Sequence, residues 1–280
     1  MIKINGAFFG SEHFGNGEVI FKEVELKDNT NEIELWFESN EDIANLMFAA
    51  EYIKDEKPKS VVGLFMPYIP YSGMDRKINE QLFSLKLLAS IIEKSGISYI
   101  KSLDVHNMDV ASELFGCKLY FLDVDKYVKK AIEDFKPDII HFPDAGAYKK
   151  YPKIINVGGI HCTYGIKKRD LNNKGKIVSY EIETSGEDLN GKRVLIVDDI
   201  CRRGGTFVNA AKHLVGKGVS EVALYVSHCE EGIFSGDVLG DEHIKCVYTT
   251  NSQPKFMENK ARLNLYTTIG AIKVFEVESK

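Results

Sequence analysis

Short apolar runs alternate with amphipathic segments along this chain. Ser60–Met66, Tyr99–Leu103 and Arg193–Val197 are apolar runs that are typical of buried strands in a parallel sheet. Between such runs, Asn40–Asp55 and Phe83–Lys94 place their apolar side chains at helical spacing. Because strands and helices alternate, the pattern predicts an α/β fold with parallel strands and helices on both faces of the sheet.

Less regular segments complete the predicted order of elements. Further helices are predicted at Val124–Phe135 and Phe207–Val215, and the charged stretch Lys167–Lys176 is expected to interrupt the fold as a flexible loop. Further strands are predicted at Met1–Phe9, Glu18–Leu26, Glu32–Phe37, Asp138–Phe142, Ile154–Val157, Val178–Glu183, Val219–Val226 and Lys245–Thr249.

The two halves of the chain repeat a common order of elements. In each half a strand ends in an aspartate, at Asp104 and at Asp198, before a loop and a helix follow. The sequence therefore predicts two similar lobes, residues 1–130 and 131–280. Each is expected to be a largely parallel sheet with helices on both faces.

Two adjacent carboxylates follow the apolar run Arg193–Val197. Ligands of open α/β sheets bind outside the carboxyl ends of the strands, so Asp198 and Asp199 are expected to follow the end of their strand and to lie in a site. Carboxylates accept hydrogen bonds from vicinal hydroxyls, which suits a ribose. Alone, such a pair would equally fit a strand end without function.

A glycine pair and a threonine come next. Gly204 and Gly205 let the backbone approach a ligand closely, and Thr206 is predicted to cap the helix Phe207–Val215. Backbone N–H groups at a helix start bind phosphate. Together with the acid pair, the loop therefore predicts a site for a sugar phosphate.

Composition limits the classes of partner and the location. The net charge of −5 argues against general affinity for nucleic acid or anionic membranes, and no apolar run reaches membrane-spanning length. The first residues lack the features of a signal peptide, so a cytoplasmic location is expected. The five cysteines show no C-x-x-C spacing, which predicts free thiols.

The stretch VLIVDDICRRGGT resembles the ribose-phosphate loop of two enzyme families. These are the type I phosphoribosyltransferases and the phosphoribosyl diphosphate synthetases, also called ribose-phosphate diphosphokinases. The loop alone does not separate the two families. Further segments match the synthetases, of which the chain resembles a divergent and shortened member.

The segment HFGNGEV at His13–Val19 is similar to the part of the synthetases that contacts the nucleotide base. The resemblance assigns Phe14, Asn16 and Glu18 to ATP binding. An aromatic ring can stack on adenine while the amide and carboxylate meet its polar edge. Seven residues alone would fit a plain turn between two strands.

The segment YSGMDRK at Tyr71–Lys77 resembles the synthetases' loop for the ATP phosphates. The resemblance assigns Asp75, Arg76 and Lys77 to ATP binding, with Arg76 able to bind phosphate oxygens bidentately. The chain departs from the family pattern at Gly73, where an arginine is usual. One phosphate contact of the family is therefore missing or supplied elsewhere.

Two strand ends resemble metal-associated segments of the synthetases. LDVHN at Leu103–Asn107 implies that His106 belongs to a magnesium–nucleotide site, and it counts among the ATP-binding residues. FPDAGA at Phe142–Ala147 implies that Asp144 binds the ribose phosphate and ligates Mg²⁺, directly or through water. Ala147 replaces a glycine of the family pattern.

The segment IKKRD at Ile166–Asp170 resembles the mobile catalytic loop of the synthetases. The resemblance makes Lys167 and Arg169 the catalytic cations, in a loop expected to stay open until substrate arrives. Without the other motifs, a charge run of this kind would indicate a solvated surface.

The ribose-phosphate loop itself departs from the family. Arg202 and Arg203 stand where an acidic residue and a hydroxyl residue are usual, and they join the residues assigned to the ribose phosphate. Added cations suit a more highly charged 5-phosphoester, such as ADP-ribose, as well as ribose 5-phosphate.

The resemblance implies transfer of the β,γ-diphosphate of ATP to the C1 hydroxyl of a ribose 5-phosphate unit, with release of AMP. Mg²⁺ is the implied cofactor and ATP the co-substrate. The implied assembly is a homodimer or higher homo-oligomer, because the HFGNGEV segment of the family reaches a neighbouring chain's ATP. Two alternatives remain: a type I phosphoribosyltransferase and a non-catalytic regulatory relative.

Overall fold

The structure is a computed structural model, and it describes most of the chain. The described residues are 1–10, 12–116, 118–154, 159–170 and 176–279. Only the backbone is described at residues 118, 168–170 and 176–178.

The chain divides into two compact units. Unit 1 comprises Met1–Asp123, Ser252–Pro254 and Val277–Lys280, and unit 2 comprises Val124–Asn251 and Lys255–Glu276.

Unit 1 contains a six-stranded sheet and a separate hairpin. Its strands are β1 (Ile2–Ile4), β2 (Ala7–Phe8), β3 (Glu12–His13), β4 (Val19–Ile20), β5 (Thr30–Leu35), β6 (Val61–Phe65), β7 (Tyr99–Leu103) and β8 (Lys118–Leu122). The sheet order is β2-β1-β5-β6-β7-β8, while β3 and β4 pair with each other. Strands β5 to β8 run parallel, and β1 is antiparallel to both of its neighbours.

The helices of unit 1 are α1 (Glu41–Glu56), α2 (Ser84–Lys94) and α3 (Met108–Leu114). The apolar face predicted for α2 is confirmed, because Leu85, Leu88, Ala89 and Ile92 are all buried. Full burial of a leucine side chain contributes about 1.5–3 kcal/mol, so this stripe fixes the helix against the sheet.

Two predicted strands of unit 1 are wrong as drawn. Met1–Phe9 is a hairpin rather than one strand, because Asn5 and Gly6 adopt positive φ angles of 52° and 86° and reverse the chain. Of Glu18–Leu26, only Val19–Ile20 is a strand, and it pairs only with β3. Neither α3 nor β8 was expected, since both are short and weakly patterned.

Unit 2 contains a seven-stranded sheet. Its strands are β9 (Ile139–Phe142), β10 (His161–Asp170), β11 (Lys176–Glu183), β12 (Arg193–Cys201), β13 (Glu221–Cys229), β14 (Ile244–Thr250) and β15 (Ile272–Phe275). The order is β11-β10-β9-β12-β13-β14-β15, with β11 antiparallel to β10 and every other pair parallel. The remaining helices are α4 (Asp125–Phe135), α5 (Ala145–Lys150), α6 (Gly205–Val215), α7 (Pro254–Glu258) and α8 (Lys260–Thr268).

The parallel strands of unit 2 carry its core. β12 buries its whole apolar run, as predicted for a strand covered on both faces. The predicted α/β class with largely parallel sheets is confirmed. The short helix α5 was not expected.

One predicted loop of unit 2 is wrong in its described part. The stretch Lys167–Lys176 was expected to be flexible, but β10 runs through Asp170 and pairs with β11, with Lys167 opposite Tyr180. Strand pairing depends on backbone groups, and the charge of Lys167 is matched by the carboxylate of Asp144. Residues 171–175 lie outside the described part of the chain, as do residues 155–158 of the predicted strand Ile154–Val157.

The described helices include none with the length and apolar composition needed to cross a bilayer. Cys162, Cys201, Cys229 and Cys246 are free thiols, as expected, and Cys117 lies outside the described residues.

Candidate functional site

The acid pair lies near the carboxyl-terminal end of β12. The strand continues to Cys201, so the prediction that it ends before Asp198 is wrong. Pairing with β13 depends on backbone groups, and it extends past the apolar run, with Asp198 opposite Val226. Asp199 is 3% exposed and Asp198 is half-buried. The Asp199 N–H donates to Oδ1 of Asp198 at 2.9 Å.

Gly204 controls the start of the following helix. α6 begins at Gly205 with Gly204 as its N-cap, so the predicted capping role of Thr206 is wrong, and Thr206 lies in the first turn. Gly204 has a φ of 84°, and a Cβ there would collide with Val238. The first N–H groups of a helix have no acceptor within it. The N–H groups of Gly205 and Thr206 therefore offer an anion site just beyond the acid pair.

A lysine that the sequence did not identify binds the acid pair. Nζ of Lys150, the last residue of α5, lies 3.0 Å from Oδ2 of Asp199, and the two side chains are only 10% and 5% exposed. Burial, and then the charge of Asp199, hold the pKa of Asp198 well above its usual value. The two neighbouring carboxyls are therefore electrostatically unequal.

Asp144 and Lys167 form a second pair in unit 2. Oδ1 of Asp144 accepts the N–H groups of Gly146 and Ala147, each at 3.0 Å, and caps α5. Nζ of Lys167 donates to Oδ2 of Asp144 at 2.9 Å. Burial alone would raise the pKa of Asp144, but the Ala147 hydrogen bond and the Lys167 charge outweigh it and lower that pKa.

The prediction of an open catalytic loop is wrong at Lys167. This residue belongs to the paired strand β10, and its side chain is only 10% exposed. The backbone of Arg169 belongs to the same strand, opposite Ile177. Its side chain lies outside the described part of the structure. The structure therefore brings Lys167 to Asp144.

A buried network supports these charged groups. His141 lies in β9, with Nδ1 2.8 Å from Oγ1 of Thr163 and Nε2 2.8 Å from the hydroxyl oxygen of Tyr180. The Tyr180 hydroxyl donates to the carbonyl oxygen of Pro143 at 3.4 Å, next to Asp144. Burial, and then the charge of Lys167, lower the pKa of His141 to about 3, so the imidazole is neutral. No local sequence pattern predicted this network.

The two predicted phosphate-binding arginines are exposed and contact a neighbouring segment. Nε of Arg202 lies 3.3 Å from Oε1 of Glu230, and Nη2 of Arg203 donates to the carbonyl oxygen of Ser235 at 3.0 Å. The side chain of Arg202 is 61% exposed. These contacts hold both arginines toward the segment 230–235.

The residues predicted to meet the nucleotide base lie in the β3–β4 hairpin. Phe14 is 58% exposed, and its N–H donates to the carbonyl oxygen of Glu18 at 2.8 Å. The Asn16 amide donates to Oε2 of Glu18 at 2.8 Å. The structure thus brings all three side chains to one exposed turn.

The predicted phosphate loop of unit 1 is joined to the end of β7. Nδ2 of Asn107 donates to Oδ2 of Asp75 at 2.8 Å, while Oδ1 of Asn107 caps α3. Arg76, Lys77 and the neighbouring His106 are exposed. Asn107 was present in the quoted motif but had no assigned role, and the structure identifies it as the tether of Asp75.

The chemistry of the acids fits a magnesium ion. In the described part of the chain, no group of three or more His, Cys, Asp or Glu side chains is arranged to hold a metal. Magnesium is usually held by one or two carboxylates, with substrate phosphates and water completing its shell. Asp144, whose side chain is 44% exposed, is a carboxylate of the kind that such a site uses.

A known protein family matches the part of the chain that contains this geometry. The phosphoribosyl transferase domain matches residues 105–253, more than half of the chain, and includes both described charged pairs of unit 2. The chain belongs to the phosphoribosyl transferase family.

Curated relatives with similar sequences carry the name of one enzyme group within this family. The chain is 29% identical to a ribose-phosphate pyrophosphokinase of Aquifex aeolicus, over 81% of this chain and 72% of that protein. It is 27% identical to ribose-phosphate pyrophosphokinase 2 of Archaeoglobus fulgidus, over 89% of this chain and 88% of that protein. The chain is also 28% identical to a ribose-phosphate pyrophosphokinase of Bradyrhizobium diazoefficiens, over 71% of this chain and 61% of that protein. The predicted synthetase resemblance and the expectation of an enzyme are thereby confirmed.

A solved structure supports the fold. The phosphoribosylpyrophosphate synthetase from Mycobacterium smegmatis superimposes with a TM-score of 0.71, covering 95% of this chain and 84% of that protein at 19% identity. At this identity the likeness establishes the fold of this family member alone.

Proposed function

We propose that the protein is a ribose-phosphate diphosphokinase. It transfers the β,γ-diphosphate of ATP to the C1 hydroxyl of ribose 5-phosphate and releases AMP. The observation that carries the proposal is that one chain holds both a ribose-phosphate loop and candidate nucleotide segments. The loop is a partly buried acid pair followed by a helix start without a side-chain cap, and the segments are the exposed Phe14–Glu18 turn and the Asp75–Lys77 loop. The names of the curated relatives support the same reaction.

The proposed ribose site divides the sugar phosphate between two kinds of group. Asp198 and Asp199 accept hydrogen bonds from the sugar hydroxyls, and the N–H groups of Gly205 and Thr206 bind the 5-phosphate. A glycine is needed at position 204 because φ is positive there and a Cβ would collide with Val238. This division orients the C1 hydroxyl for attack on the β-phosphorus.

The proposed ATP site uses residues of unit 1. Phe14 stacks on the adenine ring while Asn16 and Glu18 meet its polar edge. Arg76 and Lys77 bind phosphate oxygens, and Asp75 is held by Asn107 in the same loop. In the resembling family this hairpin reaches a neighbouring chain, so we propose a homodimer or higher homo-oligomer, which light scattering on the active protein would detect.

Cations stabilise the charge that develops during transfer. The proposed catalytic cations are Lys167 and Arg169, with Arg76 on the nucleotide side. The fixed ammonium of Lys167 needs little reorganisation, because it is already held by Asp144. Mg²⁺, when bound through Asp144 or at the nucleotide site through His106, neutralises phosphate charge.

The acceptor is the finer part of the proposal. The names of the relatives contain a ribose phosphate, and we take ribose 5-phosphate as the first candidate acceptor. ADP-ribose is a second candidate because Arg202 and Arg203 are exposed beside the phosphate loop. The contacts with Glu230 and Ser235 neutralise or occupy part of both guanidinium groups. Replacing Arg202 by Asp and Arg203 by Thr should alter the ratio of kcat/KM for the two acceptors if the arginines select between them.

Measurement of AMP tests the proposal against its alternatives. The protein is mixed with ATP, Mg²⁺ and ribose 5-phosphate, and AMP is quantified with and without the sugar phosphate. AMP that depends on the sugar phosphate supports the diphosphokinase. Binding of ATP and ribose 5-phosphate without release of AMP would indicate a non-catalytic relative. In a separate assay, consumption of added phosphoribosyl diphosphate in the presence of nucleobases would indicate a phosphoribosyltransferase.

A further inference from the structure

The pair between Lys150 and Asp199 is unusual because both side chains are nearly buried. The two charged atoms lie 3.0 Å apart, and the side chains are 10% and 5% exposed. The Lys150 ammonium also lies 5.4 Å from the centroid of the Tyr151 ring, and Tyr151 is 2% exposed. The lysine is thus held by its neighbours on two sides.

Burying an ammonium group costs free energy because the charge loses its hydration, whereas a solvent-exposed lysine keeps its hydration. The adjacent Lys149 is exposed, so α5 could place a lysine in water at this point of the chain. The fold instead directs Lys150 to one of two adjacent acids. An ion pair of this kind is weak evidence for stability, which makes a role in the site the better explanation.

The pair also separates the two acids chemically. Two adjacent carboxylates repel each other, and the ammonium of Lys150 offsets the charge of Asp199. Asp198 has no such ammonium at hydrogen-bond distance among its described contacts, and its N–H-linked neighbour is Asp199 itself. Burial, and then the charge of Asp199, raise the pKa of Asp198, and the more distant charge of Lys150 opposes this rise without cancelling it.

We propose that Lys150 is a positioning residue for the sugar-binding acid pair, whose ammonium fixes the Asp199 carboxylate in the orientation that accepts the ribose hydroxyls. The inference rests on the proposed function, because it takes Asp199 as a ligand of the sugar. A carboxylate that is already fixed binds hydroxyls without losing side-chain freedom. Lys150 therefore acts on sugar binding and orientation rather than on ATP.

The test compares Lys150→Ala and Lys150→Arg with the matched control Lys149→Ala. Affinity for ribose 5-phosphate is measured directly by isothermal titration calorimetry, and kcat and both KM values are measured from AMP release. Lys150→Ala should weaken ribose 5-phosphate binding by about tenfold to a hundredfold, the range for a lost charged hydrogen bond. The KM for ATP should change less than about twofold, and Lys150→Arg should restore most of the affinity.

A double-mutant cycle protects the test against simple unfolding. Lys150→Met and Asp199→Asn are measured singly and together, with circular dichroism to verify the fold. If the lysine acts through Asp199, the affinity of the double variant for ribose 5-phosphate should be no lower than that of the single variant with the lower affinity. Additive losses would overturn the proposal, as would unchanged sugar affinity in Lys150→Ala.

The two proposals fail in different ways. Absence of AMP from the wild-type protein, with sugar binding that still depends on Lys150, would reject the diphosphokinase and retain the positioning role. AMP release by the wild type, with a sugar affinity that does not depend on Lys150, would retain the diphosphokinase and reject the positioning role.

Discussion

The ammonium nitrogen of Lys167 lies 2.9 Å from Oδ2 of Asp144, and that pair joins β10 to the start of α5. The lysine side chain is 10% exposed and the aspartate side chain is 44% exposed. The proposed catalytic cation is therefore fixed by the same carboxylate that is proposed to hold Mg²⁺.

Lys167→Ala should lower kcat by at least about a hundredfold and leave the KM for ATP within about threefold of the wild type. The reason is that the ammonium stabilises charge that appears only in the transition state. Steady-state kinetics from AMP release measure both constants, with the exposed Lys217→Ala as control. A change confined to KM would contradict the catalytic role.

The two acids of β12 should respond differently to amidation. Asp199→Asn leaves the ammonium of Lys150 buried without its carboxylate, so the free energy of unfolding should fall by about 3 kcal/mol. Asp198→Asn should be about as stable as the wild type, because the raised pKa shows that its charged form is already disfavoured. Urea unfolding measures both variants.

Kinetics add a second comparison between these variants. Both should lower kcat/KM for ribose 5-phosphate strongly, since each replaces one oxygen of a proposed hydroxyl-accepting carboxylate by an NH2 group that donates. Equal stability losses would contradict the assigned electrostatics, and near-normal kcat/KM in a folded variant would contradict the ribose site.

The sequence predicted the parallel α/β fold because its strands are apolar runs and its helices have apolar stripes, as the buried face of α2 confirms. It did not predict that β12 includes Asp198 and Asp199, since backbone pairing continues where the apolar pattern stops. The contact of Lys150 with Asp199 spans 49 positions and depends on tertiary packing. No local pattern distinguishes Lys150 from its exposed neighbour Lys149.

His141 should give unit 2 a characteristic dependence on pH. Its pKa is about 3 in the folded chain, against 6.5 for an exposed histidine, so below pH 6.5 the unfolded chain binds a proton that the folded chain does not. Stability is therefore fully present above pH 6.5 and is lost as the pH falls toward about 3. Between pH 7 and pH 5 the loss from this residue is about 2 kcal/mol.

The comparison of wild type with His141→Gln isolates this contribution. Urea unfolding at several pH values should show a shallower loss of stability in the variant between pH 6.5 and pH 5. Parallel curves for the two proteins would show that His141 does not titrate on unfolding.

The glycine pair at the start of α6 provides a matched test of the phosphate loop. Gly204→Ala should destabilise the protein by at least about 1 kcal/mol, because an alanine at a φ of 84° is strained and its Cβ would meet Val238. It should also weaken ribose 5-phosphate binding. Gly205→Ala is the control, since a Cβ there would have no neighbour within 4 Å. Equal stability of the two variants would contradict the described loop.

The fate of the phosphates of ATP tests the central claim most directly. ATP labelled in the γ-phosphate and ATP labelled in the α-phosphate are each incubated with the protein, Mg²⁺ and ribose 5-phosphate, and the products are separated. Diphosphate transfer predicts that the γ-label appears in the sugar product and that the α-label appears in AMP, in equal amounts. Formation of ADP in place of AMP, or no label in any sugar product, would contradict the assignment of a ribose-phosphate diphosphokinase.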